Sequence, residues 1–252
     1  MNILDVIILG VIQGLTEFLP VSSSGHLVIG QYLLNIKSPG NTLEILFHVG
    51  TLWSVVFVFY SEIKNILITI KKKSTQKLLI CIFVATIPAV VIGFTLRIEI
   101  ETLFNNVNSV GFALVFTGLV LILSYIFINK NSEHTLFSSL IIGFGQALAI
   151  IPGISRSGMT ITISLFFGFS PKKSARFSFL LSIPVITGAG ILGMQDIQSN
   201  HLLSYDIIIA ALSSSFFTGI IALKALMKLL ELGKFYIFGV YCICLGLISI
   251  FI

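Results

Sequence analysis

The chain has 252 residues, of which 56% are hydrophobic and only 10% charged, with a mean hydropathy of +1.07. A water-soluble domain carries about 25% charged residues, so this composition excludes a soluble enzyme and predicts an all-α polytopic membrane protein, a single integral domain over 1–252. The net charge of +5 does not imply a nucleic-acid partner, because the cations fall in short loops, where they orient membrane spans.

Residues 1–12 are apolar and lead into a polar island, Gln13 to His26. No basic region or small-residue cleavage site precedes it, which predicts no removable signal peptide. Residues 27–35 are apolar again but too short to cross about 30 Å of hydrocarbon alone. A turn follows at Lys37-Ser38-Pro39-Gly40. Residues 1–36 therefore read as two short helices around a polar break, a pattern that survives in a membrane only where it is buried in protein or faces water.

Residues 43–61 are predicted to span. The next stretch, 62–77, carries Lys64, Lys71, Lys72, Lys73 and Lys77 against Glu62, the strongest cytoplasmic marker in the chain. Residues 78–97 are predicted to cross outward to a loop from Arg97 to Asn108 with Glu99 and Glu101, and 109–128 to return to Lys130 inside. Residues 136–151 and 159–169 flank a second island, Gln146 to Thr160, and repeat the broken-helix pattern. Lys172, Lys173 and Arg176 then mark the inside again. Residues 177–195 cross to Asp196 and Asp206, 207–224 return to Lys224, Lys228 and Lys234, and 235–252 leave once more. Cys81, Cys242 and Cys244 lie within apolar segments and read as small buried hydrophobes, not as disulfide or zinc ligands.

The reading gives six transmembrane helices and two re-entrant helical hairpins. Each half, repeat one over 1–130 and repeat two over 136–252, holds one hairpin and three spans, so the second half enters from the opposite side. Displacing the chain by 133 residues puts Gly10 on Gly143, Gln13 on Gln146, Leu15 on Leu148, Ser22 on Ser155, Ser24 on Ser157 and Gly25 on Gly158. Such an inverted-topology repeat places its site near mid-membrane, where the broken helices meet. Both termini are expected outside.

The islands carry the candidate chemistry. Gln13 and Glu17 are four residues apart and share a helix face. A carboxylate in hydrocarbon costs at least about 2.5–3.5 kcal/mol and marks function; the bland alternative is a helix-end residue reaching the headgroups. Pro20 stops the helix. Ser22, Ser23, Ser24 and Gly25 then offer hydroxyls and free N–H groups, either as an anion nest or as an ordinary helix cap. His26 follows directly. In the second island Pro152-Gly153 breaks the helix, and Ser155, Arg156, Ser157 and Gly158 add hydroxyls and a guanidinium whose planar fork suits phosphate; Thr160 lies a turn on. Arg156 is expected to pair with Glu17, with the ligand entering between them. This set fits a phosphoryl-group site. Hard oxygens from Glu17 and Gln13 suit a divalent cation, magnesium or calcium. Glu44 and His48, one turn apart, either border the site or sit at the membrane interface. Arg176 reads as an inner-leaflet anchor, and His134 and His201 as loop residues without a constellation.

Gln-Gly-Leu-Thr-Glu-Phe-Leu-Pro-Val-Ser-Ser-Ser-Gly-His (13–26) and Pro-Gly-Ile-Ser-Arg-Ser-Gly-Met-Thr (152–160) resemble the two signatures of the undecaprenyl-diphosphatase (bacitracin-resistance) family. Gln13 takes the first position of its Glu/Gln-x-x-x-Glu motif, and Ala175-Arg176-Phe177-Ser178-Phe179-Leu180 is similar to a further family segment. The resemblance implies hydrolysis of undecaprenyl diphosphate, a polyprenyl diphosphate lipid, to undecaprenyl phosphate and inorganic phosphate, with bacitracin resistance. It implies a multi-pass plasma-membrane protein whose site opens outward, dependence on a divalent cation, and homodimers among membrane lipids. On this reading Glu17 and His26 carry the proton chemistry, and Ser23, His26 or a water attacks phosphorus. Ser22, Ser24, Gly25, Ser155, Arg156, Ser157 and Thr160 hold the phosphates. The rival reading, from the repeat architecture, is a transporter that moves a polyprenyl phosphate lipid between leaflets.

Overall fold

A computed structural model describes residues 2–36, 42–96, 99, 103, 106–126, 132–197, 204–231 and 233–251. The predicted turn at Lys37–Gly40, most of the loop from Arg97 to Asn108, Lys130 and His201 lie outside these residues, as does the side chain of Asp196. The described chain is helical throughout: α1 (Ile3–Phe18), α2 (Ser23–Leu33), α3 (Thr42–Val58), α4 (Tyr60–Ile68), α5 (Lys73–Thr95), α6 (Val107–Leu123) with a 3-10 turn at Ser124–Ile126, α7 (Leu136–Leu148), α8 (Arg156–Phe166), α9 (Pro171–Ile197), α10 (Tyr205–Glu231) and α11 (Ile237–Ile250).

Both predicted breaks are present, and their causes are local. Leu19 precedes Pro20 and is extended (φ −60°, ψ 142°), as the proline ring requires of its neighbour. In the second hairpin Gly153 sits at φ +98°, a conformation open to glycine at little cost. A Cβ there would lie 2.6 Å from the carbonyl oxygen of Val110, so α6 also demands a glycine.

α5, α9 over Pro171–Ile191 and α10 are long and apolar enough to cross a membrane; α6, α7 and α11 are shorter apolar helices. The predicted single span 43–61 is instead two helices, α3 and α4, bent by 69° at Phe59. No proline or glycine occupies that bend, so nothing in the local sequence announced it. α5 starts at Lys73 and α10 runs on to Glu231, because Lys and Glu are good helix formers: the charges end the apolar run but not the helix. α9 starts earlier than the predicted 177 because Pro171 takes the first helical position, where its missing N–H costs nothing.

α1 packs on α10, α7 on α5, α3 on both α9 and α10, and α6 on α11. Small residues let these backbones approach, as is usual between helices in lipid. A Cβ on Gly14 would lie 2.6 Å from the Ser215 carbonyl oxygen, one on Gly143 2.6 Å from that of Ala85, and one on Gly118 2.6 Å from that of Gly239. Phe18, Val21, Phe59, Leu121, Phe179 and Leu226 form a buried cluster spanning both halves of the chain. The outer surface is apolar, with Trp53, Phe83, Phe94 and Phe217 all exposed, as a lipid-facing surface is. Cys81 and Cys242 are buried as expected, but Cys244 is exposed on the outward side of α11. Two ion pairs, Glu62 with Arg176 and Lys77 with Glu133, bring segments predicted to be cytoplasmic onto one face. Arg176 is thus tied to Glu62 and is not only a surface anchor.

Candidate active site

The site lies where the two breaks meet. Ser22 caps α2, its Oγ accepting from the Gly25 N–H at 3.3 Å, and the same oxygen accepts from the Gly153 N–H of the other hairpin at 3.1 Å. This double duty accounts for the positive φ of Ser22 (+67°), a conformation a non-glycine residue holds only when its surroundings fix it. Ser155 caps α8 in the same way, accepting from the Gly158 N–H at 3.1 Å. Thr117 of α6 pins the second elbow, donating to the Gly153 carbonyl at 2.9 Å and accepting from the Ser155 N–H at 3.1 Å. Ser157 donates across to the Leu19 carbonyl at 3.2 Å. A Cβ on Gly25 would lie 3.1 Å from the Gly153 Cα, so the elbows touch backbone to backbone.

Glu17, at the end of α1, is the centre of the arrangement. Its Oε1 pairs with Arg156 at the start of α8, and its Oε2 accepts from Ser23 Oγ at 2.6 Å and from Gln13 Nε2 at 2.8 Å. The carboxylate is only 4% exposed and the Arg156 side chain 14%, so each charge depends on the other. His48 of α3 completes the group, with Nδ1 3.0 Å from Gln13 Nε2 and 3.4 Å from Glu17 Oε2. Its sequence position allows His48 either the site or the membrane interface; the structure puts it beside Gln13 and Glu17. Glu44, one turn away, accepts from Gln31 at 3.3 Å.

His26 points elsewhere. Its Nδ1 is 2.8 Å from the Ser22 carbonyl and its Nε2 2.7 Å from the Tyr241 hydroxyl. A carbonyl can only accept, so Nδ1 carries the proton and the tyrosine donates to Nε2. The two rings stack at 5.7 Å. Tyr241 had no signal in the sequence.

The remaining candidates divide. Ser24 lies partly buried, its Oγ 3.3 Å from that of Ser22. Ser155 and Ser157 are buried with their hydroxyls 3.3 Å apart. Thr160 is buried, bonded to the Arg156 carbonyl at 2.9 Å and to the Ser178 hydroxyl at 2.7 Å. Ser22, Gly25, Ser155, Ser157 and Thr160 thus build the elbows, Ser23 and Arg156 bond Glu17, and Ser24 stands beside Ser22. The first N–H groups of α2 and α8 have no intrahelical partner by the geometry of a helix start, and helix starts attract anions.

A divalent cation fits this donor set only as a shared ion. Among the described residues no cluster of three His, Cys, Asp or Glu side chains could hold one. Gln13 Oε1, however, is buried without a hydrogen-bond partner, and Glu17 Oε1 keeps a free lone pair beside Arg156. Magnesium is commonly bound by one or two carboxylates plus substrate phosphates and waters, which matches two protein oxygens next to an anion cradle.

An all-helical, membrane-type fold whose two helix breaks join a carboxylate, a hydroxyl and a guanidinium defines a class: membrane proteins built to act on a phosphorylated group. Within it the assignment is specific. Residues 6–248 match the family model described as bacitracin resistance protein BacA, and the chain belongs to that family. It is 43% identical to an undecaprenyl-diphosphatase of Halothermothrix orenii over 99% of this chain and 98% of that protein. It is 39% identical to one of Desulforapulum autotrophicum over 99% and 98%, and 40% identical to one of Thermosipho africanus over 98% of each.

Proposed function

We propose that this chain is an undecaprenyl-diphosphate phosphatase, a hydrolase that releases inorganic phosphate from undecaprenyl diphosphate and so recycles the lipid carrier and confers bacitracin resistance. The observation that carries the mechanism is the 2.6 Å hydrogen bond from Ser23 Oγ to Glu17 Oε2, a nucleophile within reach of a base.

Ser23 Oγ attacks the terminal phosphorus as its proton passes to Glu17. The bond from that phosphorus to the bridging oxygen breaks, and undecaprenyl phosphate leaves. A water then attacks the phosphoserine and releases inorganic phosphate, returning the proton to Ser23. Arg156, Ser24 and the N–H groups opening α2 and α8 hold the phosphate oxygens as charge shifts among them, the kind of preorganised electrostatic support that dominates such reactions. His26 is the weaker candidate nucleophile because both its ring nitrogens are engaged; its role is to fix the Ser22 elbow and the proton balance nearby. Glu17 and Gln13 would hold a divalent cation, which would supply positive charge to the diphosphate and polarise its phosphoryl oxygens.

We further propose the finer topology: six spans and two re-entrant hairpins in inverted halves, 1–130 and 136–252, with the site opening outward from the plasma membrane. In support, the hairpin of each half packs on a span of the other, α1 on α10 and α7 on α5, and the lysine-bearing segments share one face.

The test is phosphate release by purified protein in detergent, with and without chelator, for wild type and for Glu17→Ala and Arg156→Ala. Loss of release in both variants and under chelation supports the enzyme. Lipid movement in vesicles without any phosphate release would instead mean a carrier.

A further inference from the structure

A cavity with a basic rim and an apolar wall lies at the lysine-bearing face, among residues other than those of the hairpin elbows. It has a volume of about 270 Å³ and is lined by Ser74 and Lys77 of α5, by His134 just before α7, and by Lys173 and Arg176 of α9. A concavity beside it adds Lys72 and shares Ser74 and Arg176. Ser74 lies in the first turn of α5 and Lys173 in that of α9, so two helix starts, where negative charge is favoured, border the cavity.

The charges there are not balanced. Glu133 pairs with Lys77 at 3.2 Å, and Glu62 pairs with Arg176. Lys173 and Lys72 have no ion pair among the described residues. Arg176 engages Glu62 through Nε only. His134 is clamped between Phe169 and Phe177, each ring centroid 4.0 Å away, and its Nδ1 is buried without a hydrogen-bond partner. Burial, then Lys173 and Lys77, hold that imidazole down at about 4, so it is neutral at pH 7 and adds a polar edge to the pocket wall.

We propose that this cavity binds the phosphate of an anionic phospholipid, a site separate from the one that handles diphosphate. The chemistry recognised is a phosphate carrying net negative charge. A lipid is the source because the pocket lies at the end of the spans, its wall includes Leu78 and Phe177, and the helices leaving it carry Phe83 and Phe137, 69% and 66% exposed. Basic pockets between helices at a membrane surface bind such headgroups through the attraction of their lysines and arginines.

The experiment is thermal unfolding of the purified full chain in neutral detergent, with dioleoylphosphatidylglycerol, dioleoylphosphatidylcholine or inorganic phosphate as probe. Phosphatidylglycerol at a large excess raises Tm by about 5 °C or more, and the other two do not. The Lys77→Gln/Lys173→Gln protein loses the response, and Lys173→Ala alone weakens it. The Lys224→Gln/Lys228→Gln protein, with the same net charge but changes on exposed positions of α10, keeps it. Phosphate release without added lipid is unchanged in all three. An equal response to phosphatidylcholine, or a response that survives in Lys77→Gln/Lys173→Gln, overturns the site. A shift with inorganic phosphate matching that with phosphatidylglycerol overturns the lipid assignment.

Discussion

Arg156 and Glu17 lie 139 positions apart in the chain and form an ion pair across the meeting point of the two hairpins. Both are nearly buried, so removing one leaves the other uncompensated. Glu17→Ala or Arg156→Ala alone is expected to cost about 3–5 kcal/mol of stability, and the double variant to regain much of it. Activity stays lost in all three. Arg156→Lys keeps the charge but not the planar fork and should lower kcat about 100-fold or more. Thermal unfolding run alongside phosphate release separates the two effects.

Ser23 is the next test. Ser23→Ala is expected to reduce phosphate release by at least about 10³-fold, while Ser24→Ala, which loses one ligand contact, costs about tenfold. Rapid quench during turnover should trap a phosphorylated Ser23. Full activity of Ser23→Ala would transfer the attack to water.

Tyr241→Phe removes the hydroxyl that donates to His26 Nε2 at 2.7 Å. The ring stacking survives, so Tm should fall by only about 2–4 °C. The net worth of one such bond, about 1 kcal/mol, predicts a fall of roughly fivefold in kcat. A pH–rate profile displaced from that of wild type would show that the effect passes through His26.

Gln13→Glu places a second carboxylate one helical turn from Glu17. If Gln13 Oε1, buried without a donor, faces a cation, the metal concentration giving half-maximal rate should fall about tenfold. Gln13→Leu should raise it by a similar factor. Chelator titration of phosphate release in detergent measures both.

His134 makes stability depend on pH. Its folded value, about 4, lies below the ordinary 6.5, so the unfolded chain binds the extra proton first. Its contribution is fully present above about pH 6.5 and is lost as pH falls toward 4. Lys77, Lys173, Arg176 and Glu133 are the charged groups that line the same cavity. His134→Phe should show a smaller drop in Tm between pH 7 and pH 5 than wild type.

The parts of the site that were legible in the sequence are those whose residue types are out of place in hydrocarbon. Glu17, Gln13 and Arg156 stand out for that reason, and Pro20 and Gly153 mark where the helices must break. His48 and Tyr241 were not placed, because only the packing of α3 and α11 brings them to Gln13 and His26, 35 and 215 residues away. Spacing carries no trace of that. The hydroxyls of Ser155, Ser157 and Thr160 suit phosphate by residue type; here they bond the protein's own backbone and neighbours, contacts that a sequence does not reveal. The bend at Phe59 was hidden for a similar reason, since no residue there forbids a helix.

The bond from the Gly153 N–H to Ser22 Oγ rivets one half of the molecule to the other where the two helix breaks meet. Both elbows are therefore joined through a single hydroxyl, and a change at Ser22 reaches the two halves together.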